Sequence, residues 1–277
     1  MSTTTTNLTI PKARDIVISI PKPGIVVVTL NRPSRLNAIP AWQHPELEKI
    51  FRWYDMEPSL RCAVLTGAGR AFCAGADLKE WNDRASNSDS RTPPRWETAG
   101  FGALSNRIGK KPVIAAVNGI CLGGGMEMIV NCDIVVAAKG AKFGLPEVKR
   151  GVVALAGSLP RVMRILGKQR ASELVLLGQT YSSHEMKSWG LVNFVVDESS
   201  VVAEAVRLAE MIASNSPDSV ITSREGLRLG WEPMGPALAT EIIGKGIYGR
   251  MDGTENMKEG LSSFVEKRAP VWKDSKL

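Results

Sequence analysis

Pro112-Val113-Ile114-Ala115-Ala116-Val117-Asn118-Gly119-Ile120-Cys121-Leu122-Gly123-Gly124-Gly125-Met126-Glu127 is the stretch from which the fold can be read. The apolar, β-branched run Val113 to Val117 predicts a buried strand. Asn118-Gly119 breaks it. Three glycines then lead into an apolar helical pattern that holds a single acid, Glu127. Glycines before a helix let another group approach the backbone closely. The first N–H groups of a helix lack internal partners, and the dipole there favours negative charge. Such a turn suits a developing oxyanion, and Glu127 lies about one turn inside. A plain strand-to-helix turn with a partly solvated Glu has the same pattern, so the neighbouring segments have to decide.

The flanks extend the alternation. Ile16–Ile20 and Ile25–Leu30 are β-rich runs separated by Pro21-Lys22-Pro23-Gly24, which predicts a hairpin. Trp42 to Met56 has helical spacing, with Leu47, Ile50, Phe51 and Tyr54 on one face. Arg61–Thr66 reads as a short buried strand, and Asp133–Ala138 and Leu191–Val196 as two more. Ala71-Phe72-Cys73-Ala74-Gly75-Ala76-Asp77-Leu78-Lys79-Glu80 is a second small-residue turn opening a helix, with the Ala76 amide exposed and Asp77 placed to cap. Residues 82–95 are polar and end in prolines, the pattern of a mobile loop. Strands alternating with helices predict an α/β fold with largely parallel pairing over 1–199. Roughly 200–277 reads as a helical C-terminal region, beginning with Val201, Val202, Ala205, Leu208, Ala209 and Ile212, with further helical segments at about 217–229, 236–250 and 254–268.

Several classes fall away. Gly67-Ala68-Gly69 suggests a dinucleotide fingerprint, but its third glycine position is Phe72, too large for close helix packing. No phosphate loop of the G-x-x-x-x-G-K-[ST] type fits. His44 and His184 are the only histidines, which argues against a His-rich metal site or a Ser-His triad. Cys62, Cys73, Cys121 and Cys132 form no C-x-x-C pair and read as reduced core residues. No apolar run approaches a membrane span. The net charge of +7 favours anionic partners. Its Lys and Arg are scattered rather than aligned with aromatics, so nucleic acid is not expected. The closing tripeptide Ser275-Lys276-Leu277 matches a peroxisomal import signal, which predicts an import receptor as partner and the peroxisome as location.

Five segments together resemble the enoyl-CoA hydratase/isomerase (crotonase) superfamily over nearly the whole chain. They are Leu30-Asn31-Arg32-Pro33 with Leu36-Asn37-Ala38; Phe72 to Glu80; Asn118 to Glu127; Phe143-Gly144-Leu145-Pro146-Glu147; and Asp252 to Arg268. The resemblance implies a crotonase-like spiral of ββα units with a helical C-terminal trimerisation region, and assembly as a homotrimer or hexamer. It implies an acyl-CoA thioester substrate, with no metal and no cofactor beyond the CoA of the substrate itself. The oxyanion-hole amides then match Ala76 and Gly124, and the two water-handling glutamates match Glu127 and Glu147. Ala76, Asp77, Leu78 and Lys79 would line the CoA arm. Phe264 and Lys267 match positions that touch CoA from a neighbouring subunit.

Having both acids favours enoyl-CoA hydratase activity, with Glu147 as the principal proton-transfer group and Glu127 orienting water. An isomerase, or an acyl-CoA-processing crotonase of secondary (for example toxin) metabolism, remains the alternative, and an RNA-binding crotonase-like protein is a third. One departure bears on the choice. Hydratases of the family commonly carry Pro-Gly-x-Gly-Gly after the second glutamate, where this chain has Ala154-Leu155-Ala156-Gly157-Ser158.

Overall fold

The computed structural model describes residues 8–86, 99–232 and 234–277. Its main sheet has six strands in the order β1-β2-β3-β5-β7-β10. β1 (Ile16–Lys22) and β2 (Ile25–Leu30) form the antiparallel hairpin. β3 (Cys62–Gly67), β5 (Val113–Val117), β7 (Ile134–Ala138) and β10 (Phe194–Val196) then add in parallel. Every residue of β3 and β5 is buried, as expected for parallel strands covered on both faces. The Leu191–Val196 run is strand only from Phe194; Asn193 instead binds β7, its amide to the Val135 carbonyl and its Oδ1 to the Val135 amide.

A second sheet, β4-β6-β8-β9, is built from very short strands, none of which is expected from the sequence. They are β4 (Ala71–Cys73), β6 (Ile120–Leu122), β8 (Lys142–Gly144) and β9 (Tyr181–Ser182). Two or three residues cannot display a period of two, so only their pairing defines them. With them the repeating unit is complete: a strand in each sheet, then a helical segment. The units are β3-β4-α2 (Leu78–Ser86), β5-β6-α3 (Gly124–Ile129), and β7-β8 followed by the 3-10 turn Pro146–Arg150. The helix α2 covers 82–86, where a loop is expected; the rest of that stretch up to 95 lies outside the described residues.

Helix α1 (Gln43–Met56) buries the predicted face of Leu47, Ile50, Phe51 and Tyr54. The helices α4 (Ser158–Leu166), α5 (Lys168–Leu176) and α6 (Ser183–Ser188) link the spiral to β10. α7 (Val201–Ala213) opens the helical C-terminal part but packs on β3 and β5, burying Val201, Ala205, Leu208 and Ala209. α8 (Pro217–Trp231), α9 (Pro236–Ile243), α10 (Gly249–Met251) and α11 (Glu255–Val265) follow. They leave Leu238, Ile242, Leu261, Phe264 and Val265 exposed.

Two asparagines set where the second sheet begins. Asn37 Nδ2 donates to the carbonyls of Ala68 and Ala71, and its Oδ1 accepts from the Arg32 amide. Asn118 Oδ1 accepts from the Gly67 amide while its Nδ2 donates to the Gly69 carbonyl. The turn between β3 and β4 is thereby pinned from both sides. Each such bond is worth about 1 kcal/mol, so their main effect is geometric.

Candidate active site

The turn after β4 and the turn after β6 converge. Segment 36–39 runs alongside the first of them: the Ala74 amide donates to the Leu36 carbonyl, Ile39 N–H to Gly75 O and Asp77 N–H to Ile39 O. The Ala76 amide therefore points to the opposite side. Gly124 is the first residue of α3, and Gly123 before it has φ 54°, ψ −123°, a conformation suited to glycine. Among the described residues, neither the Ala76 nor the Gly124 amide donates a hydrogen bond. The turns nearly touch: a Cβ on Gly75 would lie 3.1 Å from the Gly124 nitrogen.

Ala76 and Gly124 both line one open cleft of about 330 Å³, together with Glu127 and Glu147. Its walls are apolar, from Trp81, Phe101, Leu122, Pro146 and Val152. Leu78, Val153 and Leu155 stand at its edge and are largely exposed. Lys149 and Arg150, which the sequence reading did not single out, bring two cations to it.

The two carboxylates face this space in different states. Glu127 is buried on α3, and its Oε1 accepts from the Ala156 amide at 2.8 Å and from the Ser158 hydroxyl at 3.0 Å. Burial raises its pKa, and these donors oppose the rise. Glu147 sits at the start of the Pro146–Arg150 turn, where a Cβ on Gly123 would come within 3.2 Å of its Oε1. Its Oε2 is buried with no partner among the described residues. Burial is the main cause that pushes its pKa up to about 7, and the Glu127 charge adds to it. One pair thus has a carboxylate whose burial is opposed by donors to its charged form and another poised to hold or release a proton near neutrality, a pattern of acid–base chemistry.

The segment 154–158, where the chain departs from Pro-Gly-x-Gly-Gly, is the part that holds Glu127. It is held in turn by Ser105, whose hydroxyl donates to the Ala156 carbonyl at 2.6 Å and accepts from the Phe101 amide at 2.7 Å. Sequence reasoning missed Ser105 and the role of Ser158; nothing in local spacing links residues 105, 127 and 158.

The other predicted residues fall as follows. Asp77 turns to Arg32 (3.1 Å) and caps α2 rather than lining the cleft. Leu78 lines the cleft; Lys79 is exposed on the first turn of α2, outside the lining. Phe264 and Lys267 lie at the C-terminal end of α11, exposed and away from the cleft of their own chain. Ser275, Lys276 and Leu277 lie along the surface, where the Leu277 carbonyl accepts from Lys110 and Lys276 approaches Glu255 at 3.7 Å. Among the described residues no cluster of metal-ligating side chains occurs, and no helix is long and apolar enough to cross a membrane.

The cleft thus joins two unpartnered amides and two carboxylates between apolar walls, carried on ββα units. The chain belongs to the enoyl-CoA hydratase/isomerase family, whose model matches residues 21–275. It is 62% identical over 273 residues to the mevalonyl-coenzyme A hydratase SIDH of Beauveria bassiana, covering 96% of this chain and 98% of that one. It is 48% identical over 269 residues to the mevalonyl-coenzyme A hydratase sidH of Aspergillus fumigatus, at 96% and 98% coverage. The solved enoyl-CoA hydratase of Bacillus anthracis superposes with a TM-score of 0.84 at 34% identity, covering 95% of this chain and all of that one.

Proposed function

We propose that this chain is a hydro-lyase interconverting mevalonyl-CoA and the 2-enoyl-CoA formed by loss of its 3-hydroxyl group. The observation that carries the reaction class is the meeting of the Ala76 and Gly124 amides with Glu127 and Glu147 in one cleft. The acyl group is supported by the two mevalonyl-CoA hydratases, each aligned over nearly the full length. Mevalonyl is a branched 3-hydroxy-3-methyl acyl group, which favours specialised, secondary metabolism over oxidation of straight-chain fatty acids.

In the hydration direction, water oxygen bonds to C3 and the C2–C3 π electrons move into the thioester as an enolate. The two amides hold the charge that develops on the thioester oxygen; losing one such donor typically costs ~10²–10³ in rate. Glu127, whose charged form the Ala156 and Ser158 donors favour against the pull of burial, orients the water and takes its proton. Glu147, able to carry a proton at neutral pH, delivers one to C2. The pair resets by exchanging a proton with solvent. In dehydration the roles reverse, which suits a group titrating near 7.

The test is loss of enoyl absorbance with 5-hydroxy-3-methylpent-2-enoyl-CoA and with but-2-enoyl-CoA. The branched substrate is expected to show the higher kcat/KM by at least about tenfold, a few contacts' worth of discrimination. No turnover of either would overturn the reading. Double-bond migration without incorporation of ¹⁸O from labelled water would replace it by isomerisation.

Assembly and location belong to the same proposal. The exposed apolar side chains of α9 and α11 support a homotrimer or hexamer that brings Phe264 and Lys267 to a neighbour's cleft; light scattering tests it. Ser275-Lys276-Leu277 supports peroxisomal import, tested by imaging a fluorescent fusion with and without the tripeptide.

A further inference from the structure

We propose that Ser158 is a positioning residue that holds Glu127 by one oxygen, leaving the other to the water. The proposal rests on the water-handling role given to Glu127 above. Ser158 is fully buried at the first turn of α4. Its hydroxyl lies 3.0 Å from Glu127 Oε1 and 3.3 Å from the Ala154 carbonyl. The Ala156 amide reaches the same Oε1 at 2.8 Å. Both of these hydrogen bonds fall on Oε1, the Ser158 amide also bears on the carboxylate, and Glu127 lines the cleft. Two donors on Oε1 fix the carboxylate plane and confine proton exchange to Oε2.

The hydroxyl has one proton and two acceptors within reach. With Glu127 ionised, the charged oxygen is the better acceptor and Ser158 donates to it. With Glu127 protonated its pull weakens, and the hydroxyl can turn to Ala154 O without leaving a buried donor unpaired. Both protonation states of the turnover cycle are thereby satisfied. A glycine at 158, as in the common family pattern, supplies no such donor.

The charged and titratable groups around Glu127 leave this role to Ser158. Glu147 faces it from the Pro146–Arg150 turn as a second acid. Cys73 on β4 and Cys121 on β6 are buried thiols whose pKa values are pushed up, so they stay neutral. On α4, Arg161 is turned to Asn106 Oδ1 and the Gly157 carbonyl, and Arg164 lies over the Trp231 ring. Among these groups no cation contacts the carboxylate.

The experiment is a pH titration of the Glu127 carboxyl carbon in ¹³C-glutamate-labelled protein, assigned by Glu127→Gln, run beside kinetics. In Ser158→Ala, the Glu127 titration is expected to move to higher pH and the acid limb of kcat to move with it. kcat should fall about tenfold, the scale of a lost hydrogen bond to a charged group, with KM within about twofold. Ser158→Thr should restore both readouts, and Ser158→Gly serves if threonine does not fold, giving the alanine phenotype. An unmoved titration in folded Ser158→Ala, or a loss confined to KM, would overturn the assignment. The titration reads Ser158 whether or not turnover is seen. Absence of wild-type turnover therefore strikes the reaction, while an unmoved titration strikes Ser158.

Discussion

The wall of the cleft made by α3 and residues 154–158 and the wall made by the Pro146–Arg150 turn treat the same functional group in opposite ways. The first gives Glu127 a backbone amide and a hydroxyl. The second leaves Glu147 Oε2 buried with nothing to accept from. Both acids lose water contact and both are raised by it; Glu127 is offset by the Ser158 hydroxyl and the Ala156 and Ser158 amides, Glu147 only by its own backbone amide. Two glutamates twenty positions apart (147 − 127 = 20) thus differ through what surrounds them rather than what they are. The environment gives one acid donors to its charged form and leaves the other closer to its neutral form.

The sharpest way to break that division is to neutralise each side. Glu147→Gln should cost about 10³ in kcat, because it removes the group assigned to protonate C2. Glu127→Gln should cost about 10², since water can still bind while its orientation and proton acceptor are lost. Stopped-flow enoyl absorbance measures both, and the reverse ranking would exchange the roles. Ser105→Ala comes next. It strips the support from both Ala156 O and Phe101 N, so denaturant unfolding should show a loss of about 1–3 kcal/mol, with kcat falling less than in Glu127→Gln.

Proton linkage supplies the smaller effects. The folded protein holds the Glu147 proton more tightly than the unfolded chain, so this group's contribution to stability declines as pH rises from the ordinary 4.5 through about 7. Unfolding free energies of wild type should therefore fall across that window relative to Glu147→Gln, which lacks the group. A parallel pH dependence in the two proteins would show that Glu147 is not raised. The smallest shift is expected in Glu127→Gln. Removing a neighbouring negative charge should move the Glu147 titration to lower pH, and only slightly, because burial is the larger cause. The kcat/KM profile reads it.

How much of this was legible depended on the length of the signal. The runs Ile25–Leu30 and Val113–Val117 and the amphipathic α1 are long enough for period and composition to show, and they stand where they were expected. The second sheet was not visible, because β4, β6, β8 and β9 are two or three residues each. The segment 82–86 carries polar residues yet is helical, since α2 begins from the small-residue turn at Gly75-Ala76-Asp77. At the site, the glycine turns marked Ala76 and Gly124 as open amides, and the lone acid in an apolar run marked Glu127. Asp77 shows the limit. A capping acid beside an exposed amide looks like a binding residue, but Arg32, 45 positions away, claims it.

The sequence by itself determined the strand–helix alternation, the two glycine turns and the presence of two acids at family spacing, because each is written in residues close together along the chain. Only the tertiary structure decided that the two turns meet, that Ser105, Ala156 and Ser158 form the support of one carboxylate, and that the other is left without it. Those contacts span from 29 to 51 positions, and a hydrogen bond depends on distance in space. The protonation state of a buried acid is set by such contacts and by the water they exclude, so it belongs to the folded molecule.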